Sequence, residues 1–119
     1  MQYMLLIYED EQVRASRPEA QRIKLFEEYG AFTQSIVTSG HFRAGAPLQS
    51  TSTATTVRQR NGKPISTDGP FAESKEQLGG YYLVECQHLD EAIAIAGRIP
   101  SVRAGGSIEV RPVMAIPQG

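Results

Sequence analysis

The sequence predicts an α+β domain in which one mainly antiparallel sheet carries two helices on a single face. Three observations predict it. Apolar or β-branched runs of strand length recur at the start, middle and end of the chain. Two other segments place their apolar residues three and four apart. Between two β-branched stretches stands Asn61-Gly62, a pair suited to a tight hairpin turn. With 119 residues the chain is long enough to bury a core without staples, so a single domain over residues 1–119 is expected.

Met1-Gln2-Tyr3-Met4-Leu5-Leu6-Ile7-Tyr8 is an apolar run of strand length without the charged flank or cleavage site of a signal peptide, and it reads as a buried strand. A polar loop runs from Glu9 to Ala15. Ser16 and Glu19 then have the spacing of a capping box, which predicts a helix starting there. Leu25, Tyr29, Phe32 and Ile36 share one face of it, Phe26 and Val37 widen the stripe, and Gly40 ends it.

The small, polar stretch Ala44 to Ser52, with Gly45 and Pro47, reads as a connection. Thr53 to Arg60 alternates as a strand, and a type I′ turn at Asn61-Gly62 returns it through Lys63 to Thr67, with Pro64 placing the return strand at an edge. Gln77 to Cys86 suits a central strand. Gly79 and Gly80 within it do not match a dinucleotide fingerprint and read as a bulge or a tight contact. Leu89, Ala92, Ile93 and Ala96 give a second helix, with Asp90 and Glu91 in its first turn and Pro100 beyond its end. After a glycine-containing loop from Ser101 to Gly106, Ile108 to Met114 forms the last strand. This order corresponds to a ferredoxin-like sheet with both helices on one face plus an extra edge strand. Side chains such as Tyr3, Leu5 or Tyr81, depending on register, are left on the other face for a second subunit to cover.

Composition excludes several classes. Twelve basic residues against thirteen acidic ones leave a net charge of −1, without the cationic excess that nucleic-acid binding requires. Cys86 is the sole cysteine, so neither an intrachain disulfide nor a cysteine-based zinc cluster can form, and it reads as a small buried strand residue. His41 and His88, with scattered carboxylates, lack metal-binding spacing, so no metal site and no cofactor are expected. His41 near the helix end and His88 before the second helix both read as structural. No uncharged apolar stretch approaches the roughly 18 residues of a membrane span, and a cytoplasmic protein is the expectation.

Asp68-Gly69-Pro70-Phe71, followed by Ala72-Glu73-Ser74-Lys75-Glu76-Gln77-Leu78-Gly79-Gly80-Tyr81-Tyr82, resembles the signature of the DGPF group of the YCII-related family. Similarity extends to Tyr3–Tyr8, to Thr55-Thr56-Val57-Arg58 and to Ile108-Glu109-Val110-Arg111-Pro112, nearly the whole chain. The resemblance implies a dimeric α+β barrel, a homodimer with a ligand cleft near its interface. Some YCII-like proteins pair a histidine with an aspartate, but no histidine stands early in the first helix here.

Asp68 is the first chemistry candidate. Asp-Gly-Pro is a turn-forming sequence, and a carboxylate at a strand end can also transfer a proton. Glu73, Lys75 and Glu76 either bind a polar ligand or form a solvated turn. Arg58 and Arg111 can clamp an anion or, in the case of Arg111 with Glu109 two residues away, take part in ion pairing on the sheet. Tyr29 belongs to the core unless its hydroxyl reaches a cleft. Three functions fit: a module binding a small polar or anionic molecule in a cleft near the dimer interface, an acid-base enzyme (lyase, isomerase or hydrolase) using Asp68, and a structural dimer without a ligand.

Overall fold

A computed structural model describes residues 1–117. Its elements are β1 (Gln2–Glu9), α1 (Glu11–Ser16), α2 (Glu19–Thr38), β2 (Phe42–Pro47), β3 (Thr55–Arg60), β4 (Lys63–Asp68), β5 (Gln77–Glu85), α3 (Leu89–Gly97) and β6 (Ser107–Pro112). Short 3-10 turns occupy Thr51–Thr53 and Pro100–Val102. Four strands form one antiparallel sheet in the order β2-β5-β1-β6, the ferredoxin-like arrangement.

Strand alternation decides which face is covered. Tyr3, Leu5 and Ile7 of β1 and Tyr82 and Val84 of β5 point to one face. They are buried there against Phe32 and Ile36 of α2, Ala92, Ile95 and Ala96 of α3, and Ile99. Phe32 meets Tyr82 edge to face at 5.2 Å, a favoured geometry for two aromatic quadrupoles. Cys86 belongs to the same core. On the opposite face Met4, Leu6, Tyr81 and Leu83 stay half-buried. Of the residues whose face depended on register, Tyr3 and Leu5 therefore point into the core and Tyr81 away from it.

Four details differ from the sequence reading. Phe42–Pro47 is a strand, not a connection. Its glycine and proline are unusual for a strand, but an edge position tolerates proline, and Gly45 lets the backbone lie against Tyr82, whose Cδ1 would be 2.7 Å from any Cβ there. The hairpin forms as expected, with Asn61 and Gly62 at φ 53° and 77°. Yet β3 and β4 pair only with each other, as a separate two-stranded sheet rather than an extra edge strand of the main one. Their side chains are almost all exposed and supply too little apolar surface to hold the hairpin on the core. The result is a plate of 50 × 48 × 18 Å with a radius of gyration of 16.4 Å, against about 13.5 Å for a compact chain of this length.

The third difference lies in the polar loop, which contains α1. Asp10 caps it by accepting from the Gln12 and Val13 amides, whereas Ser16 turns back to the Val13 carbonyl and α2 starts after Pro18 without a side-chain cap. Proline's fixed φ sets up that start unaided. Finally, Phe26 and Val37 are 80% and 47% exposed, so the buried stripe of α2 is narrower than its apolar residues allow. Among the described residues no helix is long and apolar enough to cross a membrane.

Candidate functional site

A cavity of about 610 Å³ separates α2, from Arg22 to Gln34, from the β2, β5 and β1 side of the sheet. Glycines line its floor. In β5 the register slips so that Ile7 faces Gly80 while Tyr8 faces Leu78, leaving Gly79 as the extra residue of a bulge. Gly80 is packed so closely that a Cβ would sit 3.1 Å from the Ala46 carbonyl oxygen. Gly45 and Gly80 thus let the two strands and the Tyr82 ring pack closely, whereas the nearest neighbours of a Cβ on Gly79 would be side-chain atoms of Arg14 and Glu9 at 3.6 Å or more, and Ile7, Leu25, Phe26 and Phe42 add apolar surface.

One end of the cavity is polar and ordered. The guanidinium of Arg17 donates to Glu9 Oε2 from Nη1 at 3.3 Å and Nη2 at 3.4 Å, and to the Ala104 carbonyl at 3.2 Å. Both side chains of this ion pair are only 11% exposed. Ser101, fully buried, donates to Glu9 Oε1 over a longer 3.5 Å and is hydrogen-bonded to the Tyr29 hydroxyl. The loop after α3 holds Ser101 there: its carbonyl accepts from the Gly106 amide at 2.7 Å, and a Cβ on Gly106 would lie 2.9 Å from that oxygen.

Two phenols face the cavity in their protonated form. Burial pushes the Tyr29 hydroxyl up, the Ser101 bond opposes this, and the charge of Glu9 adds to the rise. Burial likewise raises Tyr82 against the opposing hydrogen bond with Thr33, at 2.7 Å.

Arg14 in α1 and Arg22 in α2 complete the lining, and among the described residues neither forms an ion pair. Glu11 fixes α1 in place. Its carboxylate accepts from the Thr51 amide at 2.8 Å, the Thr51 hydroxyl at 2.9 Å and the Ser50 hydroxyl at 3.1 Å.

Of the residues singled out from the sequence, Tyr29 lines this cavity. The others lie elsewhere. Asp68 is exposed at the end of β4, opposite Thr55. The turn after it closes the base of the hairpin: Gly69, at φ 107°, donates to the Ala54 carbonyl at 2.7 Å and accepts from Thr56 Oγ1 at 2.8 Å. Arg58 is exposed on β3, and Glu73 and Lys75 are exposed in the loop that follows the hairpin. Arg111 is on the face of β6 turned away from the helices, 4.0 Å from Glu109. His41 bridges the end of α2 to α3 through Glu91 at 2.9 Å.

Glu9, Arg14, Arg17, Arg22, Thr33, Tyr82 and Ser101 escaped the sequence reading. One signal was present. Arg14 suits the last turn of α1 and Arg17 pairs with Glu9, but Arg22 stands in the first turn of α2, where the helix dipole favours acidic side chains, so helix stability does not account for it.

The model of the YCII-related domain family matches residues 1–117. "Uncharacterized protein R00369" of Rhizobium meliloti (strain 1021) is 38% identical over 114 residues, covering 95% of this chain and 92% of that protein. Among solved structures, the 5-chloro-2-hydroxyhydroquinone dehydrochlorinase TftG of Burkholderia phenoliruptrix AC1100, in complex with 2,5-dihydroxybenzoquinone, aligns with a TM-score of 0.53. That alignment covers 96% of this chain and 94% of the other at 16% identity, a likeness of fold. With a match that spans all its elements, the chain belongs to the YCII-related domain family.

Proposed function

We propose that the cavity beneath α2 binds a small organic anion with an apolar body. The observation that carries this reading is a pair of arginines, Arg14 and Arg22, that form no ion pair among the described residues and line a volume with apolar walls. A guanidinium facing such a volume attracts a carboxylate or an acidic enol, while the protonated hydroxyls of Tyr29 and Tyr82 orient oxygen atoms by hydrogen bonding. The volume of about 610 Å³ lies in the ordinary range for small-molecule sites. The dihydroxybenzoquinone held by the structural neighbour is a ligand of compatible size and acidity.

An acid-base enzyme is the second reading, and the specific observation in its favour is Glu9, a carboxylate inside the cavity beside a protonated phenol. In both readings Asp68 and Gly69 act as the hairpin-closing turn, not as the reacting group. A second copy of the chain covers the half-buried open face of the sheet, forming a homodimer that sedimentation at micromolar concentration detects.

Calorimetric titration with benzoate, phenylpyruvate and 2,5-dihydroxybenzoquinone tests the ligand reading. Binding of at least one probe is expected, weaker in high salt and in Arg14→Ala. Failure of all three to bind, or binding unchanged by both Arg14→Ala and Arg22→Ala, contradicts it.

A further inference from the structure

We infer that Glu9 is a catalytic base acting on a small 2-oxo acid whose enolisable carbon sits in the niche above Gly79. The inference rests on the anion-binding reading above and adds a reaction to it. The two oxygens of Glu9 differ. Oε2 is held by the fork of Arg17, while Oε1 receives only the 3.5 Å contact from Ser101 and keeps its basic lone pairs largely free. Because residue 79 has no side chain, this freer oxygen borders open space. The point a Cβ would occupy on Gly79 lies 3.9 Å from Glu9 Oε1 and 3.6 Å from Arg14 Nη1. A ligand cannot enter that point itself, which is within bonding distance of the Gly79 Cα, but a ligand carbon packed against Gly79 from the cavity side has the Glu9 carboxylate and the Arg14 guanidinium as its neighbours, the base and the cation that proton abstraction beside a carbonyl uses.

The step balances without any further reagent. The C–H bond next to the keto group breaks and its proton passes to Glu9 Oε1. The bonding pair becomes the carbon–carbon double bond, and the carbonyl pair moves onto oxygen, giving an enolate whose charge faces Arg14. Return of the proton to carbon or to oxygen restores the base. Tyr29 and Ser101 are positioning residues, since they orient Oε1 through the serine hydroxyl. Ile7 and Phe42 accommodate an apolar or aromatic body.

Phenylpyruvate in D2O is the probe, with loss of its methylene proton signal followed by NMR and binding followed by calorimetry on the same samples. The wild type is expected to exchange these protons about a hundredfold faster than buffer. Glu9→Gln, which keeps hydrogen-bonding oxygen for Arg17, is expected to bind the probe and lose the exchange. Gly79→Ala gives a second, independent test: the contacts its methyl would make are ordinary van der Waals ones and Gly79 has no positive φ, so the variant folds, with the niche filled and exchange lost. Wild type that binds phenylpyruvate but exchanges it at the buffer rate overturns the inference and leaves the anion site standing. Absence of binding by the wild type overturns the inference and counts against the anion site as well. Exchange at the wild-type rate in either folded variant also overturns it.

Discussion

Glu9 and Arg17 meet at 3.3 Å with both side chains 11% exposed, pinning the segment between α1 and α2 to the end of β1. The pair therefore has two duties: it orders a carboxylate inside the cavity and it fixes the approach of α2 that forms the cavity roof.

Arg17→Ala removes one partner from a nearly buried pair and leaves Glu9 charged with little water around it. The variant should be destabilised by about 2 kcal/mol, between the cost of a lost charged hydrogen bond and that of breaking a fully buried pair. The urea-unfolding midpoint, compared at equal m-value, measures this.

Ile36 and Phe26 separate core from cavity on the same helix. Ile36 is fully buried, and Ile36→Ala should cost about 3 kcal/mol through lost burial and the void left behind. Phe26, 80% exposed, lines the cavity without supporting the core, so Phe26→Ala should change stability by less than about 0.5 kcal/mol while weakening ligand binding. Thermal unfolding and calorimetric titration of the two variants check both halves.

Alkali should destabilise the protein through its buried phenols. In the folded state Tyr29 and Tyr82 hold their protons above the ordinary value of 10.0, chiefly because burial disfavours the phenolate. The unfolded chain ionises first, so the stabilisation is fully present below pH 10.0 and is lost as pH rises from there through the folded values. Replacing both residues by phenylalanine should flatten this decline, as read from unfolding curves between neutral and alkaline pH.

Acid should loosen the link between α1 and the hairpin. Partial burial raises the Glu11 carboxyl, but the Thr51 amide, the Thr51 and Ser50 hydroxyls and nearby Arg14 together outweigh it and hold the group below its ordinary 4.5. Its contribution is thus present above pH 4.5 and lost as pH falls through the lowered folded value. Hydrogen exchange at the Thr51 amide should accelerate over that window in the wild type, and in Glu11→Gln it should be fast already at neutral pH.

Most of the fold was legible because its strands and helices carry their apolar residues at the periods their geometry demands. Tyr3, Leu5 and Ile7 alternate, and Phe32 and Ile36 stand four apart, so β1 and α2 declare their buried sides. Asn61-Gly62 fixed the hairpin turn because few other pairs accept two consecutive positive φ angles. β2 was not legible: Gly45 is there for the Tyr82 ring, a contact between residues far apart in sequence. The same physics hid the site. Glu9, Arg17, Tyr29 and Ser101 converge from the end of β1, the α1–α2 junction, α2 and the loop after α3, with no motif to announce them. Asp68 stands in a sequence signature, yet the turn it begins is explained by the backbone geometry of Gly69 and the hydrogen bonds that close the hairpin base.

A two-dimensional amide NMR titration with phenylpyruvate or benzoate locates the proposed ligand site. Binding in the cavity under α2 should give saturable shifts concentrated at Gly45, Gly79, Gly80 and the backbone around Tyr29. Shifts confined to Asp68, Gly69 and the amides around Arg111, with the glycine floor unmoved, would contradict it.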